Sequence, residues 1–360
     1  MGKNVKAPQL PLVSGGGITE PRSFLPVLHG KATKSLASMT GKPLIENPIN
    51  NTRVLDTGEV KLVIEKYTGK LGVSTHKLFN TAVMEFTNIN HTGEDNREVR
   101  STSVFIPLRE YISLCGVDIE IHETDTPEEA EKEAKRAKNA LDNARKKIKK
   151  DLEFLFASSL TWSEKVKSKK TEDFVSVRLL EAIGIKNGYI QVTFAQRFAD
   201  YLILLPIGQY SKALLGIDER NPNAYSMGLK IDEHYNMDNN IIQGTAQLLK
   251  VKTLLAVTSL PSIEDVREQR TSWEKRIKEP FENSLDALTA CGFLEDWEYC
   301  KPKGEAMTDE EATALTTYEI WSGTLIKFTL KDAPDHTARL EAKKERQKAR
   351  QEKQKKKKKE

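Results

Sequence analysis

Three cations lie beside a proline in the segment 273–285, where they could bind an anionic partner. Lys275, Arg276 and Lys278 can pair with phosphate groups, and an arginine can also donate two hydrogen bonds to one guanine. Pro280 follows closely, although it has no amide hydrogen and clashes with the preceding helical turn. The pattern predicts a charged helix that either kinks at the proline or restarts with it in the first turn.

The apolar residues of the same segment predict which side of this helix is buried. Ile277, Phe281, Leu285 and Leu288 recur at spacings of three and four, so they lie on one face of a helix. The cations point elsewhere. The helix can therefore pack against a core and still present positive charge to solvent.

This combination resembles the K-R-x-V-L-x-P-A-x-x-E-I segment of the plasmid replication initiators that bind repeated origin sequences, called iterons. Ser284 and Leu285 stand where the family has Glu-Ile. The resemblance implies two winged-helix domains, with this segment on the DNA-reading helix of the second one. It also implies binding to double-stranded origin repeats, dimers that repress and monomers that initiate. The matching residues are Lys275, Arg276, Ile277, Pro280, Phe281 and Leu285.

A second cationic helix is predicted to begin at Pro127. The run Thr126-Pro127-Glu128-Glu129 has the form of a capping box with proline in the first turn. Apolar residues then keep a helical rhythm for over twenty residues. Further on, predicted strands over 174–183 and 189–194 flank a glycine-bounded turn at 184–188, which predicts a hairpin wing. Strands over 297–299 and 320–330 are predicted to form a second wing. The candidate phosphate contacts on the helix that begins at Pro127 are Lys135, Lys138, Arg145, Lys146, Lys149 and Lys150.

The alternative for this helix is a solvated face whose lysines pair with Glu131, Glu133 and Asp142. In the second half of the chain, Arg270 and Arg276 are the candidates for base contacts, and their alternative is pairing with acids within the chain. Those acids would be Glu268, Glu274 and Glu282. The full set of candidate DNA contacts there is Arg267, Arg270, Lys275, Arg276 and Lys278.

The order of predicted elements occurs twice: helix, short strand, helix, long helix and strand hairpin. Together with the resemblance, this order predicts an α+β protein of two winged-helix domains with flexible basic N- and C-terminal tails. Residues 1–50 are predicted to form a flexible arm, and residues 336–360 a basic disordered tail. The first winged-helix domain is expected at 51–200 and the second at 201–335.

Charge is distributed unevenly along the chain. Positions 339–360 hold 12 basic and 4 acidic residues, whereas positions 37–338 hold 39 basic and 47 acidic residues, within a net charge of +4. The predicted folded body is acidic, so a nucleic-acid surface on it must be a local patch. No apolar run is long enough to span a bilayer and no signal-peptide pattern opens the chain, so we expect a cytoplasmic protein.

Several enzymatic and metal-dependent classes lack their sequence requirements. Cys115, Cys291 and Cys300 show no CxxC spacing, which predicts reduced thiols and no zinc site. No two histidines flank a single residue, as a metal-dependent nicking initiator needs, and no phosphate-binding G-x-x-x-x-G-K-[ST] loop exists. His234 is expected to be a hydrogen-bonded packing residue. We therefore expect no cofactor, no metal and no catalytic activity.

The predicted function is that of a sequence-specific, double-stranded DNA-binding replication initiator of a plasmid or mobile element. It would bind origin repeats and recruit host replication proteins, with a homodimer as a further expectation and no membrane association. Two alternatives stay open. The first is a winged-helix transcriptional regulator that binds a promoter operator, and the second is a nickase or primase with an unrecognised site.

Overall fold

The structure is a computed structural model of the 360-residue chain. It describes residues 22–26, 45–47, 52–56, 60–65, 71–90, 99–165, 172–205, 207–334 and 341. Within these ranges the protein is of mixed α+β class. The chain divides into two compact units, one within Met1–Pro222 and the other within Asn223–Glu360.

The first unit contains ten strands and four α-helices among its described residues. They are β1 (Arg22–Pro26), β2 (Ile45–Asn47), β3 (Thr52–Asp56), β4 (Val60–Glu65), α1 (Val73–Asn90), β5 (Ser103–Pro107), α2 (Leu108–Leu114), α3 (Pro127–Phe156), β6 (Ser158–Lys165), β7 (Glu172–Arg178), β8 (Leu180–Lys186), β9 (Tyr189–Phe194), α4 (Gln196–Leu204) and β10 (Ile207–Ser211).

The core of the first unit lies between a three-stranded antiparallel sheet and helices α1 and α3. The sheet has the order β5-β9-β8, and β8 and β9 are joined by a two-residue turn. Asn187 and Gly188 form this turn with φ values of 54° and 79°, a left-handed conformation that asparagine and glycine tolerate. Phe79 and Phe86 of α1 pack on Phe194 of β9, with ring centroids 6.5 and 5.4 Å apart.

A five-stranded antiparallel sheet is the main feature of this unit that the sequence reading missed. Its strand order is β2-β3-β4-β6-β7. The single strand predicted over residues 174–183 is wrong, because the chain divides there between this sheet and the three-stranded one. Leu179 and Leu180 are consecutive and both fully buried, whereas one continuous strand would place them on opposite faces.

Two strands fall inside the segment 1–50 that the sequence predicted to be a flexible arm. Strand β1 pairs antiparallel with β10, and β2 pairs antiparallel with β3. The flexible-arm prediction is corrected at these strands. They are only five and three residues long, too short for a periodic pattern to stand out. The tail predicted at 336–360 lies outside the described residues, Glu341 excepted.

The second unit consists of short elements around one long helical segment. They are α5 (Pro222–Tyr235), α6 (Asp238–Ile242), β11 (Leu248–Lys250), α7 (Val251–Leu255), α8 (Ile263–Glu268), a π-helical turn (Glu274–Lys278), α9 (Glu279–Ala290), β12 (Leu294–Cys300), α10 (Asp309–Thr313), α11 (Tyr318–Gly323) and β13 (Leu325–Leu330).

The second unit repeats the element order of the first around its own three-stranded sheet. In both units a helix, a strand and a short helix precede a longer helix and an antiparallel strand pair. The sheet orders, β5-β9-β8 and β11-β13-β12, both place the last strand in the middle. The repeat is not exact: β6 and β7 come between α3 and the pair β8–β9 in the first unit, whereas the second unit adds α6 and α8 and has α10 and α11 between β12 and β13. The predicted repeat therefore holds for the order of the shared helices and for the pairing of the last two strands, but β12 and β13 are not joined by a hairpin turn.

One predicted strand of the second unit needs correction. The sequence predicted a strand over residues 320–330, but Ile320 lies in α11 and the strand begins at Leu325. Thr317 accepts a hydrogen bond from the amide of Ile320 and so caps this short helix. Trp321 is fully buried whereas Ile320 is 56% exposed, which is the pattern of a helix packed on one side. Among the described residues, no helix has the length and apolar character needed to cross a membrane.

Candidate nucleic-acid interface

Helix α3 carries the largest set of predicted contacts, and it begins at Pro127 as predicted. The capping box is only half formed, because the Glu129 carboxylate accepts from the Thr126 hydroxyl and not from its amide. Thr126 accepts a hydrogen bond from the amide of Glu129, and Pro127 occupies the first turn. Ile148, Leu152 and Leu155 are buried in the C-terminal part of the helix. This apolar stripe fixes the rotation of the helix about its axis, so the opposite face must be exposed.

The six predicted cations of α3 lie on the exposed surface of the helix, outside that stripe. At about 100° per residue they fall within an arc of roughly 140° about the helix axis, which adjoins the stripe at Arg145, about 20° from Leu152, and reaches the far side of the helix at Lys150. From Lys135 to Lys150 the face extends about 22 Å along the helix, at 1.5 Å per residue. All six side chains belong to exposed residues, namely Lys135, Lys138, Arg145, Lys146, Lys149 and Lys150. We call this set the α3 cationic face.

The other three cations of α3 are paired with acids, and two of them, Arg136 and Lys147, also lie outside this arc. Lys132 contacts Glu128 at 2.9 Å, and Lys147 forms an ion pair with Glu219. Arg136 forms ion pairs with Glu133 at 2.8 Å and Asp118 at 3.1 Å. These three cations therefore have structural partners already.

The α3 cationic face is almost free of such pairing. Within the part of the chain that the structure describes, its one ion pair joins Lys149 to Glu153, with 3.7 Å between nitrogen and oxygen. The alternative that Glu131, Glu133 and Asp142 neutralise this face finds no such contact there, since Glu133 pairs with Arg136. Exposed, unpaired cations on one helix face can displace counterions from a phosphate backbone.

A groove of about 430 Å³ lies between the C-terminal half of α3 and strand β8. Arg145, Lys146 and Lys149 line its helical wall together with Leu152 and Glu153, and the facing wall is the backbone and side chains of 183–185. Cations with an apolar strip between them suit the alternating phosphates and sugars of a nucleic-acid strand. The two residues on the facing wall with side chains of any size are Ile183 and Ile185.

In the second unit the chain passes Pro280 without a break in the helix. Residues 273–290 are helical throughout, and the turn Glu274–Lys278 is π-helical. The amide of Glu279 donates to the carbonyl of Glu274, five residues earlier, so the wider turn accommodates the missing amide of Pro280. The sequence left open a kink or a restart, and the structure instead has a π-helical turn.

The buried face predicted for this helix is confirmed. Ile277, Phe281, Leu285 and Leu288 are each 1% exposed or less. Lys275 and Arg276 are exposed, and Lys278 is half-buried. The helix therefore packs and presents charge at the same time, as its residue spacing predicts.

The predicted contacts at the start of this helix are not equivalent. Arg267 donates to Glu319 at 2.6 Å, so it already has an acid partner, although not one of the three acids that the sequence suggested. Arg270 has a φ of 50° in the turn between α8 and the π-helical turn. Among the described residues, no ion pair or side-chain hydrogen bond occupies Arg270, Lys275, Arg276 or Lys278. We call these four residues the α9 cationic turn.

A hydrogen-bonded network of part-buried side chains joins the first turn of α9 to α11 and β12. The indole of Trp321 donates to the hydroxyl oxygen of Tyr299 at 2.7 Å, and that hydroxyl donates to Glu282 at 2.9 Å. Burial, with the carboxylate of Glu282 nearby, raises the pKa of Tyr299 far above its ordinary value, so the hydroxyl keeps its proton. The ring of Trp273 packs on Trp321, 5.4 Å between centroids.

Sequence reasoning missed this hydrogen-bonded network because its residues are far apart in sequence. Trp321 was assigned to a strand, and Glu282 was considered only as a possible ion-pair partner for the arginines. The helical spacing of Tyr318 and Trp321 was the one signal that could have indicated a packed helix there.

His234 is a structural residue, as predicted. Asn240 donates to its Nδ1 at 3.0 Å, and its Nε2 lies 3.1 Å from the carbonyl oxygen of Thr245. Burial lowers the pKa of His234, so the neutral ring is favoured. Within the described ranges, no three His, Cys, Asp or Glu side chains converge in a way that could hold a metal ion.

Comparisons with known proteins give no family assignment. No family model matches the sequence, and no curated protein matches it. Among solved structures, the crystal structure of domains 2 and 3 of RctB is similar at a TM-score of 0.34 and 12% identity. The alignment covers 80% of this chain and 95% of that one. A similarity this weak carries no argument about function.

Proposed function

We propose that this chain is a sequence-specific duplex DNA-binding protein that initiates replication at an origin, and that it acts without catalysis or a cofactor. The observation that carries the proposal is the α3 cationic face, on which Lys149 alone has an ion pair among the described residues, while every other cation of the same helix is paired. Unpaired cations on one helix face are the electrostatic requirement for binding phosphates.

The order of elements in each unit supports a winged-helix interpretation. A helix, a strand, a short helix and a longer helix are followed by a strand pair, and the sheet places its last strand in the middle. In such a domain the longer helix enters the major groove. Under this proposal α3 and α9 are the two DNA-reading helices, and the strand pairs β8–β9 and β12–β13 are the wings.

The role at an origin rests on the resemblance of the segment 273–285 to iteron-binding initiators. That resemblance also carries the proposed host replication proteins, the homodimer, the plasmid or mobile element and the cytoplasmic location. The second candidate is a transcriptional regulator, because the α3 cationic face and the α9 cationic turn would serve equally well at a promoter operator.

Footprinting on the DNA that flanks the gene of this protein tests the proposal. We expect protection of several direct repeats in tandem, because an initiator of this kind binds repeated sites. Protection of one palindrome would favour the regulator. Metal-dependent cleavage of the same DNA, abolished by a chelator, would contradict the non-catalytic role.

A further inference from the structure

One acidic residue lies in the middle of the α3 cationic face. At about 100° per residue, Asp142 falls within about 40° of Lys135, Lys138, Lys146 and Lys149 about the helix axis. It also lies halfway along the helix between Lys135 and Lys150, and it is exposed. A carboxylate therefore occupies the centre of a surface that otherwise attracts phosphates.

Asp142 has no structural role among the described residues. It forms no ion pair or hydrogen bond there, although Lys138 and Lys146 are one turn away on either side and Arg145 is three residues ahead. It lies twelve residues beyond the first turn of α3 (127–130), too far to stabilise the helix dipole. Aspartate is also a poor helix former within a helix.

On DNA the carboxylate would repel phosphates, so it would weaken non-specific binding. Its position suits a different contact. With α3 in a major groove, the long side chains of the surrounding lysines would reach the backbone on both sides, and the short aspartate at the centre would face the base edges. The base group that a carboxylate accepts from in the major groove is the N4 amino group of cytosine.

We propose that Asp142 is a specificity-determining residue that accepts a hydrogen bond from the amino group of a cytosine in the target duplex. The inference rests on the proposed function, since it requires α3 to lie in the major groove. Asp142 thus selects one C·G pair in two ways. The carboxylate accepts a hydrogen bond from the cytosine amino group, which strengthens binding there. At a site where the carboxylate has no donor, binding is weakened.

The test is selection from a pool of duplexes with 24 randomised base pairs, followed by sequencing of the bound fraction. The full chain and its Asp142→Asn variant are compared. We expect the parent to enrich a motif with a C·G pair at one position, discriminated by about 5-fold to 150-fold, the range of one good base contact. The variant should lose the preference at that position only and should bind the unselected pool more tightly.

Glu153→Gln is the matched control, because it removes one negative charge from the same side of α3 next to Lys149. We expect it to raise the affinity for all duplexes and to leave the motif unchanged. If Asp142→Asn enriches the parent's motif unchanged, Asp142 reads no base and the inference is wrong while the proposed function stands. If the parent enriches no motif, the proposed function itself fails and the inference fails with it.

Discussion

Replacement of Lys146 and Lys149 by glutamine is expected to lower the affinity for duplex DNA by roughly 60-fold at about 0.1 M salt, because each lost phosphate contact contributes about 0.9 to the slope of log affinity against log salt. The slope should become shallower by about 1.8. Both side chains lie on the α3 cationic face and line the groove beside β8. Fluorescence anisotropy at a series of salt concentrations measures both quantities.

The matched control replaces Lys132 and Lys147, which belong to the same helix and carry the same charge. Both are already paired with acids, Lys132 with Glu128 and Lys147 with Glu219. We expect this double variant to bind with nearly the parent's affinity and salt slope. An equal loss in both double variants would mean that net charge, and not this face, determines binding.

Pro280→Ala is expected to reduce specific binding by about 10-fold to 100-fold, the scale of one or two base contacts. Alanine has an amide that can donate to the carbonyl of Arg276, so the π-helical turn can close into an ordinary α-helical one. The residues before it would then rotate by about 100° about the axis relative to α9. Lys275 and Arg276 would be displaced although no charge is removed. Competition between target and scrambled duplexes measures the loss.

Two further variants distinguish the effect of the π-helical turn from that of a proline substitution in general and from that of losing one base contact. Pro222→Ala, at the first residue of α5, makes the same substitution away from the predicted contacts and should leave binding unchanged. Arg276→Ala removes one predicted base contact and should relax the sequence preference without unfolding the protein, because Arg276 is exposed. If Pro280→Ala binds its target as tightly as the parent does, the π-helical turn has no part in recognition.

The sequence was most informative where a pattern was long and local. Helix α3 extends over thirty residues with its cap, its proline and its apolar stripe all in register, so both its start and its exposed face followed from spacing alone. The buried face of Ile277 and Phe281 followed for the same reason. In these helices the side chains that matter are neighbours in sequence, and 3.6-residue periodicity reports them directly.

The features that the sequence did not reveal depend on distant residues. The five-stranded sheet joins strands from residues 45–65 to strands from 158–178, and no local pattern indicates which strands pair. The break between β7 and β8 at Leu179 cannot be recognised from the sequence, because the residues on both sides of it favour a strand. Similarly, Arg136 pairs with Asp118 and Lys147 pairs with Glu219, and both acids lie outside the helix that carries these cations.

The most direct measurement of the central claim is a salt titration of the affinity between the full chain and a duplex that contains its selected motif. If the α3 cationic face and the α9 cationic turn neutralise several phosphates, the affinity should fall by roughly 10³ or more between about 50 and 200 mM salt. The preference for the motif over a scrambled duplex should persist across that range, because base contacts do not release counterions. An affinity that stays constant with salt would contradict the proposal that these two cationic surfaces bind phosphates.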